Sequence, residues 1–204
     1  MGIKLLILSW WTPGFIIRKE LGNISDKTTT ALKTLITEHV DPKTAAMGSV
    51  QLHGASVREQ RAIMAQNHAE LVGTLEAALG REEATKLGRE ALFSVGHDVG
   101  KQSRKALGVS NNWEDLSRAA KILYRVLGIK FHLEWSDSSD AIAIIDSCAL
   151  AEQYSKLTCE VLSATDEGVI NGLLPNVTMK FREYMTSGCK NCKADIHFKE
   201  KGVR

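Results

Sequence analysis

The sequence predicts an α+β domain with a helical N-terminal half followed by a strand–strand–helix–strand–strand segment. Two observations predict this order. Between residues 57 and 127 apolar residues recur at three- or four-residue spacing, which is typical of helices. After Gly128 apolar and polar residues alternate, which is typical of half-buried strands. The four strands can pair into an antiparallel sheet that helices cover on one face.

Three well-marked helices are predicted before the strands, at about 56–80, 81–107 and 113–127. Ser56 and Glu59 form a capping box at the start of the first helix. In the second helix, His97 and Asp98 lie between two glycines, Gly96 and Gly100. Because glycine costs stability inside a helix, these glycines indicate either close packing or a ligand.

The first 54 residues are less informative. Residues 5–11 are apolar but far short of the roughly 20 residues that span a bilayer, and Pro13 and Gly14 follow them. We interpret this run as a buried strand or arm, with an amphipathic surface anchor as the alternative. Residues 27–40 are compatible with a helix, and residues 41–54 look like a connection. We therefore separate an N-terminal arm and helix, 1–54, from an α+β ligand-binding or catalytic part, 55–204, within one continuous domain.

The C-terminal half begins with two strands, at about 129–135 and 141–145, joined by a turn. A helix is predicted from Ser147 to about Leu173, where Pro175 stops it. A hairpin follows, and a turn at residues 188 and 189 would pair Glu183 with Ala194 and Met179 with Phe198. That register places the apolar residues of both strands on one side of the sheet.

Composition narrows the class of protein. The net charge of the 204 residues is +2, with 44% hydrophobic and 25% charged residues. Such values are ordinary for a globular protein and give no general attraction to nucleic acid or to an anionic membrane. We expect a cytoplasmic protein that binds neither nucleic acid nor a membrane.

All four cysteines lie in the C-terminal part, at positions 148, 159, 189 and 192. Cys148 and Cys159 fall on one predicted helix, where 11 residues separate them by roughly 16 Å. One zinc ion cannot bind both unless the helix breaks, because zinc–sulfur bonds are only about 2.3 Å long. Either cysteine could instead be a small buried hydrophobic residue.

A more selective metal set is Cys159, Glu183, Cys189 and Cys192. The last two form a CxxC motif at the predicted hairpin turn, which suits chelation, although a redox pair or coincidence is also open. Glu183 lies on the predicted apolar face, where a carboxylate must be paired, protonated or bound to metal. A salt bridge to a helix Lys or Arg is the alternative. Asp166 shares a helical stripe with Cys159, which indicates a polar pocket.

Three groups of residues resemble the L-2-amino-thiazoline-4-carboxylic acid hydrolase family, within the four-vinyl-reductase superfamily. They are the segment 159–168, the segment 172–175, and Glu183, Gly188 and Cys192. The resemblance covers about residues 81–198. In the sensor branch of the superfamily a zinc is held by a helix Cys, a strand Glu and two Cys near the last hairpin, which implies Cys159, Glu183 and Cys192 here. The other sensor cysteine would fall near Met185 or Thr186, which are not thiols, so Cys189 could replace it only with a rearranged turn.

The resemblance implies a hydrolase that opens a cyclic C=N–S or related compound. Cys159, Glu183 and Asp166 are then the candidate catalytic residues, with Cys159 or Cys192 as thiolate or metal ligand and Glu183 as ligand or base. The alternative is a non-enzymatic zinc-binding ligand sensor or a scaffold. Related folds commonly dimerise through their helices, so a homodimer is expected.

Overall fold

The computed structural model describes residues 3–39, 55–135 and 140–198. Its elements in chain order are α1 (Ile3–Trp10), α2 (Gly14–His39), α3 (Val57–Leu79), α4 (Arg81–Leu107), α5 (Trp113–Leu127), β1 (Ile129–Trp135), β2 (Asp140–Cys148), α6 (Lys156–Leu173), β3 (Val177–Glu183), a 3₁₀ turn (Met185–Ser187) and β4 (Cys192–Phe198). The strands form an antiparallel sheet of order β1–β2–β4–β3. The predicted α+β fold is thereby confirmed.

The N-terminal run is a helix, so the strand predicted there is wrong. α1 packs against α5. The guanidinium of Arg125 on α5 donates to the carbonyls of Leu8 and Ser9 and to the hydroxyl of Thr12, at 2.9 to 3.1 Å. These carbonyls lie at the end of α1, where a helix leaves acceptors without internal partners. The carbonyl groups at the end of α1 therefore receive hydrogen bonds from a residue far along the chain, which the local sequence could not indicate.

The second helix is much longer than the segment predicted at 27–40. It begins at Gly14 and packs against α3 and α4. Gly22 lies within this helix, and a Cβ built on it would have no neighbouring atom within 4 Å. The predicted connection, 41–54, and the predicted boundary after residue 54 lie outside the described residues. In the described part of the chain, no helix is long and apolar enough to cross a membrane.

The three predicted helices between residues 56 and 127 are confirmed as α3, α4 and α5. Ser56 and Glu59 form the capping box: the Ser56 hydroxyl accepts from the Glu59 N–H, and the Glu59 carboxylate accepts from the Ser56 N–H at 2.7 Å. Gly108 and Gly128 end α4 and α5 with φ of 69° and 74°, in the left-handed region that glycine adopts at little cost.

Helices α4 and α6 cross in direct backbone contact through two pairs of glycines. A Cβ built on Gly96 would lie 2.0 Å from the Thr165 carbonyl oxygen, and one on Gly168 would lie 2.2 Å from the Phe93 carbonyl oxygen. Gly100 and Gly172 are equally crowded. Close packing is therefore the reason for the glycines around His97 and Asp98, and it fixes α6 on α4.

The second strand is longer than predicted and the following helix is shorter. β2 continues to Cys148 past a bulge in its pairing with β1, and α6 begins only at Lys156, capped by the Ser155 hydroxyl. Cys148 and Cys159 therefore do not share a helix, and the separation of roughly 16 Å deduced from one continuous helix does not apply. A strand is favoured through residue 148 because its ladder with β1 extends that far.

The last hairpin has a register two residues away from the predicted one. Met179 pairs with Ile196 and Phe181 with Ala194, and a bulge before the end of β3 places Glu183 opposite Lys193. The connection is longer than the predicted two-residue turn because it includes the 3₁₀ turn. A shift of two preserves the apolar face, but the bulge removes Glu183 from it.

Candidate functional site

A partly open cavity of about 80 Å³ lies between α6, the sheet and helices α2, α3 and α5. Most of its wall is apolar. The polar side chains that line it are Thr28, His68, Tyr124, Cys148, Tyr154, Cys159, Ser163, Thr165, Asp166, Tyr184 and Cys192. A second cavity of about 30 Å³ shares Tyr124, Thr165 and Asp166 with the first. Cys159 and Asp166 of α6 and Cys192 of β4 thus face one cavity.

Two thiols meet at one end of the cavity. Cys159 lies in the first turn of α6 and Cys192 begins β4, both line the cavity, and the hydrogen bond that the two thiols can share dominates the pKa of each. The bond from Cys159 is the main cause that lowers the pKa of Cys192 to about 7; burial opposes it, and the Met185 N–H, 3.3 Å from the sulfur, assists it. The same bond and burial raise the pKa of Cys159. Cys192 is therefore the thiolate and Cys159 its S–H donor.

Replacing Cys159 with alanine is expected to raise the pKa of Cys192, because the thiolate loses its main hydrogen-bond donor. Thiolate ultraviolet absorbance followed against pH measures this shift, and alkylation by a small reagent at pH 7 should slow accordingly. The matched control is Cys148→Ala, which removes another cavity thiol that is not the donor. Equal titration curves for the two variants would show that Cys159 does not set the ionisation of Cys192.

Asp166 on α6 carries a carboxyl group enclosed by protein. Burial is the first cause that raises its pKa from 3.8 to about 7, and the negative charges of Glu167 and Cys192 add to it. Asp166 is half-buried and lines both cavities. Within the described residues, its carboxyl group has no hydrogen-bond partner. A carboxyl group with these properties can donate a proton near pH 7.

A buried hydrogen-bonded chain forms another wall. The His68 ring lies 2.7 Å from the Thr28 hydroxyl through Nε2 and 2.8 Å from the Tyr154 hydroxyl through Nδ1. Burial lowers the pKa of His68 to about 4, so the ring is neutral. Because the Thr28 hydroxyl donates to the Ile24 carbonyl, we assign the ring proton to Nε2, and Nδ1 accepts from Tyr154.

Two hydroxyl groups on the cavity wall lack partners. The Tyr124 hydroxyl and Thr165 Oγ1 are buried and make no hydrogen bond to the described residues. Burial raises the pKa of Tyr124 well above 10, so its hydroxyl stays protonated and can donate. Since a buried unsatisfied hydroxyl costs about 1 to 3 kcal/mol, a ligand or water that bonds these groups would be favoured.

An ion pair beside the cavity holds α6 in place. Arg89 on α4 contacts Glu167 at 2.8 Å and also donates to the Glu160 carbonyl and the Ser163 hydroxyl. The other Glu167 oxygen accepts the backbone N–H of Phe181 on β3. Glu167 thus links α4, α6 and β3 next to Asp166. This pair was not found from the sequence because its members are 78 residues apart.

The structure brings together only part of the predicted metal set. Cys159 and Cys192 meet, whereas Cys189 and Glu183 do not line the cavity. The Glu183 carboxylate lies 3.1 Å from Lys193 on the neighbouring strand, so its partner is a lysine of the sheet and not of a helix. Throughout residues 3–39, 55–135 and 140–198, no three His, Cys, Asp or Glu side chains are grouped so that they could hold a metal ion.

Of the predicted catalytic residues, Cys159 and Asp166 border the cavity together, as their shared helical stripe indicated. The sequence did not indicate His68, Tyr124, Tyr154 or Thr165. Polar residues on the buried side of predicted helices were the signal that could have found the first two. Tyr154 lies in the turn between β2 and α6, a segment that was assigned to a helix.

A mostly apolar cavity with a few inward polar groups is the kind of site that small-molecule-binding domains have. The chain belongs to the L-2-amino-thiazoline-4-carboxylic acid hydrolase family, whose model matches residues 60–196. The family suggested by the sequence is therefore confirmed, over a longer range than the resemblance covered. No curated protein matches the chain in sequence.

Two solved structures share the fold at low identity. Subunit 3 of a trafficking protein particle complex from Naegleria fowleri, solved covalently bound to palmitic acid, is 14% identical with a TM-score of 0.55, and the match covers 70% of this chain and 97% of that one. The phenol-responsive sensory domain of the transcription activator PoxR, solved with phenol, is 12% identical with a TM-score of 0.52, covering 83% and 90%. These similarities establish a four-vinyl-reductase-like fold and nothing about chemistry.

Proposed function

We propose that the protein is a thiol-dependent hydrolase that opens a small cyclic compound with carbon–nitrogen and carbon–sulfur bonds. One observation carries the proposal: in a member of this family, a thiol with a pKa of about 7 and a buried carboxyl with a pKa of about 7 border the same cavity. A thiolate beside a protonated carboxyl is a nucleophile paired with an acid.

The proposed reaction uses Cys192 and Asp166 in sequence. The Cys192 thiolate adds to the carbon of the ring C=N bond, and the ring nitrogen takes the proton of Asp166. The ring C–N bond then breaks as the 2-amino group of the ring passes a proton to the departing nitrogen. This leaves a free amine and a carbon that is double-bonded to the former amino nitrogen and attached to the sulfur of Cys192. Water adds across that C=N bond, its second proton goes to the Asp166 carboxylate as the carbonyl forms, and the Cys192 thiolate leaves. Cys159 donates to the sulfur at both ends of this cycle and stabilises it as the leaving group.

The cavity supports a compact substrate. Its volume is about 80 Å³, and the neighbouring cavity adds about 30 Å³. This space fits a small ring and is too small for a drug-sized molecule. The unpartnered hydroxyls of Tyr124 and Thr165 would bind polar atoms of that ring. The apolar remainder of the wall keeps bulk water from the covalent intermediate.

Zinc, expected from the sensor branch, remains a prediction. A structural zinc site needs four protein ligands and a catalytic one needs three, whereas Cys159 and Cys192 supply two within the described residues. These residues do not fit a zinc site, and the reaction proposed above needs no metal. Metal analysis of the purified wild type and of Cys192→Ser tests the prediction.

The experiment that tests the function is hydrolysis of L-2-amino-thiazoline-4-carboxylic acid by the wild type and by Cys192→Ser. We expect the wild type to open the ring and the variant to lose at least about a hundredfold in kcat, because a hydroxyl is a far weaker nucleophile at neutral pH. Cys189→Ser is the matched control, since Cys189 does not line the cavity, and its kcat should stay at the wild-type level.

A ligand sensor is the second candidate, favoured by the predominantly apolar wall of the cavity. If the wild type is thermally stabilised by the ring compound or by phenol but converts neither, the protein binds without catalysis, as the phenol-bound sensory domain of similar fold suggests. Equal hydrolysis by the wild type and Cys192→Ser would instead remove the thiol from the mechanism. Light scattering tests the predicted homodimer independently.

A further inference from the structure

The N-terminal helix exposes a concentrated set of large apolar side chains. We call this set the N-terminal patch; its members are Ile3, Leu6, Ile7, Trp10, Trp11 and Phe15. Trp10 is 88% exposed and Phe15 is 68% exposed. In the rest of the described chain only Phe93 and Trp135 are large hydrophobic residues with comparable exposure. Scattered exposed apolar residues are normal, but a contiguous group marks an interaction surface.

The geometry of α1 fixes which way this patch faces. Ile3, Leu6, Ile7 and Trp10 are spaced so that they lie on one side of the helix. The opposite side carries Leu5, which is completely buried. Hydrogen bonds from Arg125 to the end of α1 hold the helix against α5. The N-terminal patch therefore faces away from α5, on which α1 is packed. It is not the inner face of an arm that has moved off the domain.

The charge around the patch indicates its partner. Residues 3–19 contain Lys4, Arg18 and Lys19 and no Asp or Glu. A second copy of the chain would bring an equally basic surface against this one across a symmetric interface, which repulsion disfavours. An anionic lipid surface is complementary to it, since each basic residue near such a surface contributes about 1 kcal/mol. Tryptophan beside basic residues is also the composition of the membrane–water interface.

We propose that the N-terminal patch docks the protein on the surface of an anionic lipid bilayer. Helix α1 lies in the plane of the interface with Trp10 and Trp11 among the headgroups and the first acyl carbons, and the lysines contact the phosphates. The domain stays outside the bilayer. This proposal depends on neither the cavity nor the hydrolase activity.

Vesicle co-sedimentation of the full chain tests the proposal. Vesicles of phosphatidylcholine with phosphatidylserine are compared with vesicles of phosphatidylcholine alone, at low and high salt. We expect binding to the anionic vesicles, weaker binding to the neutral ones and weakening by salt. The variant W10S/W11S should bind anionic vesicles at least about tenfold more weakly, because it removes two aromatic rings that would be buried in the interface. Trp135→Ser, which removes an exposed tryptophan elsewhere, should bind like the wild type.

Thermal unfolding of both variants checks that they remain folded, which we expect because the replaced side chains are mostly exposed. Absence of wild-type binding to anionic vesicles would overturn the proposal, and so would equal binding by W10S/W11S. Light scattering tests whether a second copy of the chain covers the patch instead. A wild-type dimer that W10S/W11S converts to a monomer would assign the patch to that second copy and overturn the proposal.

Discussion

Replacement of Gly168 with alanine is expected to destabilise the protein by about 3 kcal/mol or more. The added Cβ would lie 2.2 Å from the Phe93 carbonyl oxygen and 2.8 Å from the His97 backbone nitrogen. Both atoms belong to the backbone of α4, so no side chain can rotate away and the two helices must separate. Urea unfolding of the wild type and the variant measures the difference.

The matched control is Gly73→Ala in α3. A Cβ at this helical position would meet no atom within 4 Å, so alanine should raise the free energy of unfolding by up to about 1 kcal/mol through helix propensity. If the two substitutions change the free energy of unfolding in opposite directions, the result supports backbone contact between α4 and α6 at Gly168. If Gly168→Ala were as stable as the wild type, α4 and α6 would not be in backbone contact.

Replacement of Asp166 with asparagine is expected to stabilise the protein at pH 8 by up to about 4 kcal/mol. The pKa of Asp166 is raised from 3.8 in the unfolded chain to about 7 in the folded one, and one pKa unit corresponds to about 1.4 kcal/mol. Between these values the folded state binds more protons, so the contribution of Asp166 makes wild-type stability fall as pH rises from about 4 to about 7. Asparagine does not ionise, so the variant does not lose this stability as the pH rises.

Denaturant unfolding of both proteins from pH 4 to pH 8 measures the effect. The two should differ least near pH 4 and most above pH 7, and the variant should lose hydrolase activity while it gains stability. Asp26→Asn is the control, since Asp26 is exposed on α2, and its offset from the wild type should be small across the range. A constant offset for Asp166→Asn would mean that its carboxyl is ionised throughout.

The sequence predicted those elements whose signals are local. The Ser56 and Glu59 capping box, the glycines that end α4 and α5, and the alternation in β1 each depend on a few adjacent residues, and all are confirmed. The placement of Cys159 and Asp166 on one side of α6 also follows from helical spacing alone. These two positions are the part of the candidate site that could be predicted.

The elements that were wrong depend on contacts between distant segments. α1 is completed by Arg125, and β2 reaches Cys148 because β1 pairs with it that far. Glu183 leaves the apolar face because of one bulge, which no residue type announces. The walls of the cavity come from four helices and four strands that are far apart in the chain, so residues such as His68 and Tyr124 could be assigned to the site only after the fold was known.

The glycine contacts between α4 and α6 limit how far the reacting groups on α6 can shift. Reacting groups must be held within roughly half an ångström of their working geometry, and long side chains between two helices would leave room for adjustment. Here the distance between the helices is set by backbone atoms in contact. The positions of Cys159 and Asp166 relative to α4 are therefore specified by residues that have no side chains and lie on the opposite side of α6 from the chemistry.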